Sequence, residues 1–298
     1  SCNLPGPPGI GIKEATSSIE SEIVQETYYV TSFASVENIR SLDEDGVSPH
    51  LEKVDEKTLR LFYSSIEVKG IAVSLCDYEL KCEIQGALER MSDLTIIETL
   101  DGVRRGYYVA LNPQTKQKDI FTAVFSEDGL SYSNETPLGF PVDQNEIAWG
   151  VPDAVLMPDG LVRVYWVYTE DKTSDEKLVS ATSKTTKGVE FVMDPGYRLE
   201  NGYVDFEVIR AVEGDWKALM SYTPHYMPEI PQSLFYATSK DGLNWDLIEE
   251  RITPKGYSYF DPTAIQIDDK NFLVVGSAAP NTLGAREHIL FAAELVLP

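Results

Sequence analysis

The stretch LFYATSKDGLNW (residues 234–245) has the pattern of a β-hairpin. Alternating apolar and polar residues predict a strand, and Asp241-Gly242 predicts a tight turn in which the glycine takes a positive φ. The ring of Trp245 then begins a second strand. The same order of serine, aspartate-glycine and aromatic residue occurs in TAVFSEDGLSY (residues 122–132). These turn residues are expected to let two strands reverse direction, a structural rather than a catalytic role.

The hairpin pattern recurs in weaker form at residues 179–191 and at residues 71–82, where the glycine is missing. Hairpins that repeat every roughly 40–60 residues predict a propeller in which each repeat is one four-stranded blade. Each predicted blade begins with an acidic or small polar residue ahead of an apolar strand. These five anchor residues, 45, 60, 52 and 56 positions apart, are Ser48, Asp93, Asp153, Asp205 and Asp261. No long helical periodicity interrupts them, so we predict an all-β chain with one five-bladed β-propeller domain.

The predicted propeller extends over residues 27–298. Residues 1–26 are rich in glycine, proline and serine and then charged, which predicts a flexible N-terminal tail. The aromatic and β-branched residues of 26–36 predict a strand, and we expect it to close the ring by pairing with the last blade.

The composition of the chain limits its partners. Its 298 residues include 48 acidic and 25 basic side chains, giving a net charge of −23. Such a surplus of negative charge argues against nucleic acids and anionic membrane surfaces, which bind clustered lysine and arginine. It is compatible with a solvated acidic surface or with a protein that binds cations. No apolar run of 18 residues predicts a membrane span.

The three cysteines bear on the cellular location. Cys76 and Cys82 flank a predicted hairpin turn, where they would form a local disulfide or remain two buried thiols. Cys2, followed by the Pro/Gly stretch at residues 3–9, resembles the start of a processed bacterial lipoprotein, in which the cysteine is the lipid anchor. Ser1 is equally consistent with a residue left by cloning. We expect an extracytoplasmic protein that is secreted, periplasmic or lipid-anchored.

The predicted topology gathers polar residues at one mouth of the central channel. The innermost strand of each blade begins there, which brings together Ser48, His50, Asp93, Asp153, Asp205 and Asp261. Aspartates crowded at a narrow mouth raise one another's pKa, and a bound Ca²⁺ or other cation, or an arginine, would offset their charge. Alternatively, single aspartates cap the strand entrances by accepting backbone N–H bonds.

The loops expected at the same mouth add candidate ligands for a carbohydrate. Aromatic rings stack on the C–H patches of sugars, while carboxylates and amides bind the hydroxyl groups. The predicted substrate-binding residues are His50, Trp149, Glu207, His225, Tyr226, Arg286 and His288. Alternatively, these loops are exposed connectors whose rings pack locally. The spacing of the three histidines does not support a zinc site.

The segment VPDAVLMPDGLVRVYWVY (residues 151–168) resembles the five-bladed propeller glycosidases, which include arabinanases, β-xylosidases, arabinofuranosidases and relatives such as invertases. In those enzymes a Pro-Asp pair opens a blade and a tyrosine-rich strand follows. The Ser-x-Asp-Gly hairpins are also similar to the Asp boxes of sialidases, although the full box is missing. The resemblance implies an inverting glycoside hydrolase with one carboxylate as base, one as acid and a third aspartate tuning the acid.

The chain departs from that pattern at the predicted base. Ser48 stands where the related enzymes have the base aspartate, and Asp205, with Glu207 nearby, stands where they have the acid. Two hypotheses follow. In the first, the protein is a glycan-processing enzyme with Asp153 and Asp205 as catalytic residues, supported by Asp93 or Asp261. In the second, it is a non-catalytic propeller module at the cell surface that binds carbohydrate or a cation.

Overall fold

A computed structural model describes residues 28–141, 150–170, 175–222, 232–280 and 288–298. The regular elements in these residues are 21 β-strands. They form five antiparallel sheets, four with four strands and one with five. The prediction of an all-β, five-bladed propeller in a single domain is confirmed. The predicted tail, residues 1–26, lies outside the described residues.

The blades follow the chain in order, with the innermost strand first. The described chain begins with β1 (Tyr28–Val30) and β2 (Ser35–Asp45), which belong to the last blade. Blade 1 contains β3 (Val47–Lys53), β4 (Leu59–Ser65), β5 (Gly70–Cys76) and β6 (Cys82–Leu88). Blade 2 contains β7 (Ser92–Glu98), β8 (Arg104–Leu111), β9 (Lys118–Phe125) and β10 (Tyr132–Pro141). Blade 3 contains β11 (Asp153–Leu156), β12 (Val162–Tyr168), β13 (Lys177–Ser183) and β14 (Phe191–Met193). Blade 4 contains β15 (Tyr203–Val212), β16 (Asp215–Tyr222), β17 (Ser233–Ser239) and β18 (Trp245–Ile248). Blade 5 contains β19 (Tyr257–Gln266), β20 (Asn271–Pro280) and β21 (Ile289–Val296), followed by β2 and β1.

The ring is closed by pairing of the two ends of the chain. Strand β2 runs antiparallel to β21, with registers from Ser35 opposite Val296 to Asp45 opposite Ile289. The closing strand therefore begins almost where the predicted strand at residues 26–36 ends. The predicted segment instead contains the short edge strand β1 and a turn, in which the Thr31 N–H donates to the Ala34 carbonyl.

The hydrophobic core lies between the blades. Because both faces of each sheet meet a neighbouring blade, apolar residues fill the gap between every adjacent pair of blades. Five large clusters of buried side chains correspond to the five gaps. Large members, from the gap between blades 1 and 2 around to that between blades 5 and 1, are Phe62 and Tyr108, Tyr107 and Trp166, Tyr165 and Trp216, Leu219 and Phe272, and Leu61 and Val275.

The aspartate-glycine hairpins connect the third and fourth strands of their blades, as predicted, and also contact the preceding blade. Asp241 Oδ1 accepts the N–H groups of Leu243 and Asn244, both at 2.8 Å, and Gly242 has φ +73°. The Tyr165 hydroxyl, from blade 3, donates to the Gly242 carbonyl at 2.6 Å. In the same way Tyr107 of blade 2 donates to the carbonyl of Gly188, in the corresponding turn of blade 3, at 2.6 Å. The turns thus fasten neighbouring blades to each other.

Cys76 and Cys82 form a disulfide with a Cα–Cα distance of 4.1 Å. They lie opposite each other on the paired strands β5 and β6, at the end of the hairpin. Cross-strand pairing therefore selects the disulfide over two separate thiols.

In the described part of the chain, no helix is long and apolar enough to cross a membrane.

Candidate active site at the mouth of the channel

Every blade has one residue with a left-handed backbone within its inner strand or, in blade 3, just before it. These residues and their φ angles are Ser48 (49°), Asp93 (54°), Val151 (44°), Asp205 (51°) and Asp261 (52°). In blades 1, 2, 4 and 5 the strand pairing shifts by one residue at this position, which is a β-bulge. The shared backbone conformation identifies five equivalent positions. In blade 3 the equivalent residue is Val151, which lies two residues before the predicted anchor Asp153.

A small cavity lies where these positions meet. Its volume is about 20 Å³, enough for one water molecule. The residues that line it include Ser48, His50, Asp93, Val151, Asp205, Glu207 and Asp261. Three of the four predicted catalytic aspartates, from blades 2, 4 and 5, therefore line one cavity, whereas Asp153 does not.

Asp205 and Asp261 form a proton-sharing pair. A side-chain hydrogen bond joins them, and Asp205 also accepts the Asp261 N–H at 3.3 Å, the Ser221 hydroxyl and the Gln232 Nε2 at 3.2 Å. Burial raises the pKa of both carboxyls, and the charges of Asp205 and Asp93 raise that of Asp261 further. Because Asp205 is the acceptor of so many donors, the shared proton belongs mainly to Asp261.

Asp93 approaches this pair from blade 2. Its carboxylate accepts hydrogen bonds from the hydroxyls of Ser48 and of Ser92, the latter at 3.1 Å. The pKa of Asp93 is raised above its usual value, mainly by burial and also by the charge of Asp205. The two hydrogen bonds and the charge of Lys118 offset part of this increase. The Ser48 N–H in turn donates to Asp261 Oδ2 at 3.2 Å. Ser48 therefore links the carboxyl groups of blades 2 and 5.

A second set of side chains lies two residues after the left-handed positions and connects four of the five inner strands to the next one. Each of these side chains accepts a hydrogen bond from a backbone N–H in the inner strand of the next blade. The donor is the third residue after the left-handed residue of that blade. The recorded acceptor–donor pairs are His50 Nε2 with Ile96 (3.1 Å), Asp153 Oδ2 with Val208 (2.8 Å), Thr263 Oγ1 with Leu51 (3.1 Å), and Glu207 with Ala264. These contacts give Asp153 and His50 a structural role between blades. His50 is also buried, which lowers its pKa.

Asp153 and Glu207 are the acidic members of this second set. Asp153 is only 4% exposed, and burial raises its pKa to about 7. Burial, together with the charge of Asp153, raises the pKa of Glu207 well above its usual range. The Glu207 carboxyl donates a hydrogen bond to Asp153 and accepts one from Thr263 Oγ1 at 3.1 Å. The pair therefore shares a proton beside the first pair of carboxyls.

Several predicted ligands are elsewhere. His288 packs against Phe260, the neighbour of Asp261, with ring centroids 5.0 Å apart, and burial lowers its pKa. It is not among the residues that line the cavity. Four predicted substrate-binding residues lie outside the described residues, namely Trp149, His225, Tyr226 and Arg286.

Sequence reasoning missed Val151 and the polar supports Ser221 and Gln232. A signal for Val151 was present, because proline follows the left-handed residue in blades 1, 3 and 5 as Pro49, Pro152 and Pro262. Aligning these prolines, rather than the nearest aspartate, gives the correct register.

The charge of the mouth is offset by protons and by hydrogen-bond donors. Among the described residues, no group of three or more histidine, cysteine or acidic side chains has an arrangement that would hold a metal ion. The two proton-sharing pairs and the donors around Asp93 and Asp205 reduce the repulsion that the sequence led us to expect a cation or an arginine to offset.

Comparison with solved structures supports the fold. A thermostable family-43 glycoside hydrolase matches with a TM-score of 0.65 and 14% identity, over 87% of this chain and 93% of that one. An endo-1,4-beta-xylanase from Bacteroides thetaiotaomicron matches with a TM-score of 0.63 and 11% identity, over 83% and 89%. An endo-arabinase from the same organism gives 0.61 and 14%, over 83% and 94%. The expected likeness to five-bladed propeller glycosidases is thus confirmed for the fold. No family model and no curated protein matches the sequence.

Proposed function

We propose that this protein is a glycan-processing enzyme of the glycoside hydrolase type, acting on a carbohydrate at the central mouth through paired carboxyl groups. One observation carries the proposal. Asp93 and the Asp205–Asp261 pair occupy equivalent left-handed positions in three blades and line one water-sized cavity. The likeness of the fold to glycoside hydrolases agrees with this function.

The two sides of the cavity suit the two halves of an inverting hydrolysis. Asp261 retains a proton because burial and its acidic neighbours raise its pKa, so it is suited to protonate the leaving glycosidic oxygen. Asp205 accepts the hydrogen bond from Asp261 and tunes that acid. Asp93, ordered by Ser48 and Ser92, is suited to take a proton from the attacking water. A cavity with room for one water is compatible with such a nucleophile.

This assignment differs from the sequence-based one in the role of Asp153. Its side chain accepts the Val208 N–H and the Glu207 proton, and it does not line the cavity. We therefore propose Asp153 as a positioning residue that holds blade 4 against blade 3 through Val208 and Glu207, the latter of which also lines the cavity. Asp205 remains in the catalytic group, with Asp93 and Asp261.

An extracytoplasmic location fits this function. Disulfides persist in oxidising compartments, and the Cys76–Cys82 bond is one. The proposed lipid anchor at Cys2 lies outside the described residues.

The decisive experiment is hydrolysis of aryl xylosides, arabinofuranosides and galactosides, and of the matching oligosaccharides, with the anomeric product followed by NMR. We expect turnover with inversion, and a loss of about 10²–10⁴-fold in kcat for Asp93→Asn and Asp261→Asn. Asp128→Asn, in an exposed hairpin turn, is the matched control and should retain activity. Full activity in both site variants would contradict the assignment.

The second candidate function is a non-catalytic carbohydrate-binding module. It is favoured by Ser48, which stands where the related enzymes have a base aspartate, and by Val151 at the equivalent position of blade 3. Glycan binding with no turnover across the whole panel would support this function and reject the enzyme.

A further inference from the structure

We infer that a hollow between blades 3 and 4, outside the central cavity, is a binding subsite for a neutral oligosaccharide. The hollow has a volume of about 440 Å³, within the range of ligand pockets. The six residues of its wall that define it here are Tyr197, Arg198, Asn201, Tyr203, Tyr222 and Glu249. We call it the blade 3–4 hollow.

Three tyrosines give the hollow its aromatic wall. Tyr203 and Tyr222 are a cross-strand pair on β15 and β16, with ring centroids 4.6 Å apart. Phe235 packs edge-on against both rings, at 5.8 and 5.9 Å. Tyr197 is held by a hydrogen bond to Glu170 and by Lys177, whose Nζ lies 4.5 Å from its ring centroid. These rings are thus fixed before any ligand binds, which lowers the entropic cost of binding.

An incompletely bonded arginine points to a ligand with hydrogen-bond acceptors. Arg198 is 8% exposed, and burial lowers its pKa. Of its five N–H donors, one is hydrogen-bonded among the described residues, from Nη2 to the Pro195 carbonyl, and Nε has no partner there. A buried guanidinium with unused donors is costly unless a ligand or water satisfies it.

The polar groups select hydroxyls rather than a charged group. Arg198 only donates, Glu249 only accepts when ionised, and Asn201 does both, so the wall matches a ligand whose groups both donate and accept. Sugar hydroxyls do so. Glu249 and the neighbouring Glu200, both exposed, together with a net charge of −23, disfavour uronates and sulfated sugars.

The position of the hollow relates it to the central mouth. Tyr203 precedes Asp205 by two residues on β15, so their Cα atoms are at most about 7 Å apart. A sugar unit is of similar length, so one chain can occupy both places. The prediction that the ligand has three or more sugar units rests on the proposed function at the mouth, whereas binding in the hollow itself does not.

The test is isothermal titration with xylotetraose, α-1,5-arabinotetraose and β-1,3-galactotetraose, the corresponding monosaccharides, and tetragalacturonate as the charged comparison. We expect at least one neutral tetrasaccharide to bind, and Tyr197→Ala and Arg198→Gln each to weaken it at least tenfold. Tyr132→Ala is the matched control, because Tyr132 is 36% exposed against 37% for Tyr197. It begins β10, the fourth strand of blade 2, and is not part of the blade 3–4 hollow. It should bind as the wild type does.

The outcomes separate the subsite from the catalytic proposal. Failure of every neutral tetrasaccharide to bind, preference for tetragalacturonate, or unchanged binding in both hollow variants would overturn the subsite. Asn201→Gly, which keeps the left-handed backbone, and Glu249→Ala, both at exposed positions, should each weaken binding and so test the subsite where Arg198→Gln fails to fold. Binding that depends on these residues without any turnover would keep the subsite and reject the enzyme. If Asp93→Asn loses turnover and the hollow variants bind as the wild type does, the enzyme is supported and the subsite is rejected.

Discussion

The pKa of Asp153 makes folding stability depend on pH in a way that one substitution should remove. The carboxyl is buried in the contact between blades 3 and 4, and its pKa is raised from 3.8 to about 7. The folded protein therefore binds this proton more tightly than the unfolded chain does. Stability contributed by the protonated form is complete below about pH 4 and decreases until the pH exceeds about 7.

The size of the effect follows from that shift. A change of about 3 units at about 1.4 kcal/mol per unit gives a loss of about 4 kcal/mol between pH 4 and pH 8. Burial is nearly complete, so solvent screening does not reduce this value. In Asp153→Asn the amide oxygen can still accept the Val208 N–H, the amide N–H can donate to Glu207 in place of the hydrogen bond that Glu207 donates to Asp153, and the side chain no longer titrates. The variant should therefore be more stable than the wild type at pH 8, by about 2–4 kcal/mol, and about equally stable at pH 4.

Urea unfolding at intervals from pH 4 to pH 8, for the wild type and the variant, measures the difference directly. Taking the difference between the two proteins cancels the titration of every group that the substitution leaves alone, which excludes Glu207, the proton-sharing partner of Asp153. Asp246→Asn, on the exposed side of β18, is the matched control and should follow the wild-type profile. Parallel profiles for wild type and Asp153→Asn, within about 0.5 kcal/mol, would refute the argument that this carboxyl is folded with its proton.

Three further substitutions test the structural argument, each by chemical denaturation. Gly242→Ala should cost about 2–4 kcal/mol, because an added Cβ would lie 2.6 Å from the Trp216 ring at a backbone φ of +73°; a loss under about 1 kcal/mol would contradict this packing. Val151→Asn should stabilise the protein by about 1 kcal/mol, since asparagine tolerates the left-handed backbone better than a β-branched residue; equal or lower stability would show that Val151 is unstrained. Replacing both Cys76 and Cys82 by serine should cost about 2 kcal/mol, because the disulfide closes a short loop, and a loss above about 4 kcal/mol would show a larger role.

The parts of the fold that were predictable from sequence are those encoded by neighbouring residues. Asp241-Gly242 and its copies specify a turn locally, and the five anchor residues that precede the blades gave the number of blades. The ring-closing strand was less accessible, because β2 is recognised only through its pairing with β21, about 250 residues away. The strand-forming residues at 26–36 correctly predicted that an early strand closes the ring, but the strand that does so is β2, at Ser35–Asp45.

The site was predictable to the level of residue type and end of the molecule. Asp93, Asp205 and Asp261 lie at equivalent positions that their spacing indicated. The displacement of Asp153 could not be read from the spacing of the aspartates alone; the proline after Val151, which also follows the left-handed residue in blades 1 and 5, was the sequence signal for it. The pairing of Asp153 with Glu207, 54 positions later, depends on the closed ring.

The equivalence of the five left-handed positions separates the chemistry of the mouth from the architecture that presents it. The left-handed backbone occurs with serine, aspartate or valine at that position, so the fold places few demands on the residue type. Exchanges there can add or remove an acid without rebuilding a blade. With Ser48 and Val151 uncharged, three of the five left-handed positions carry an acid, and variants at these two positions offer a direct route to altered reactivity.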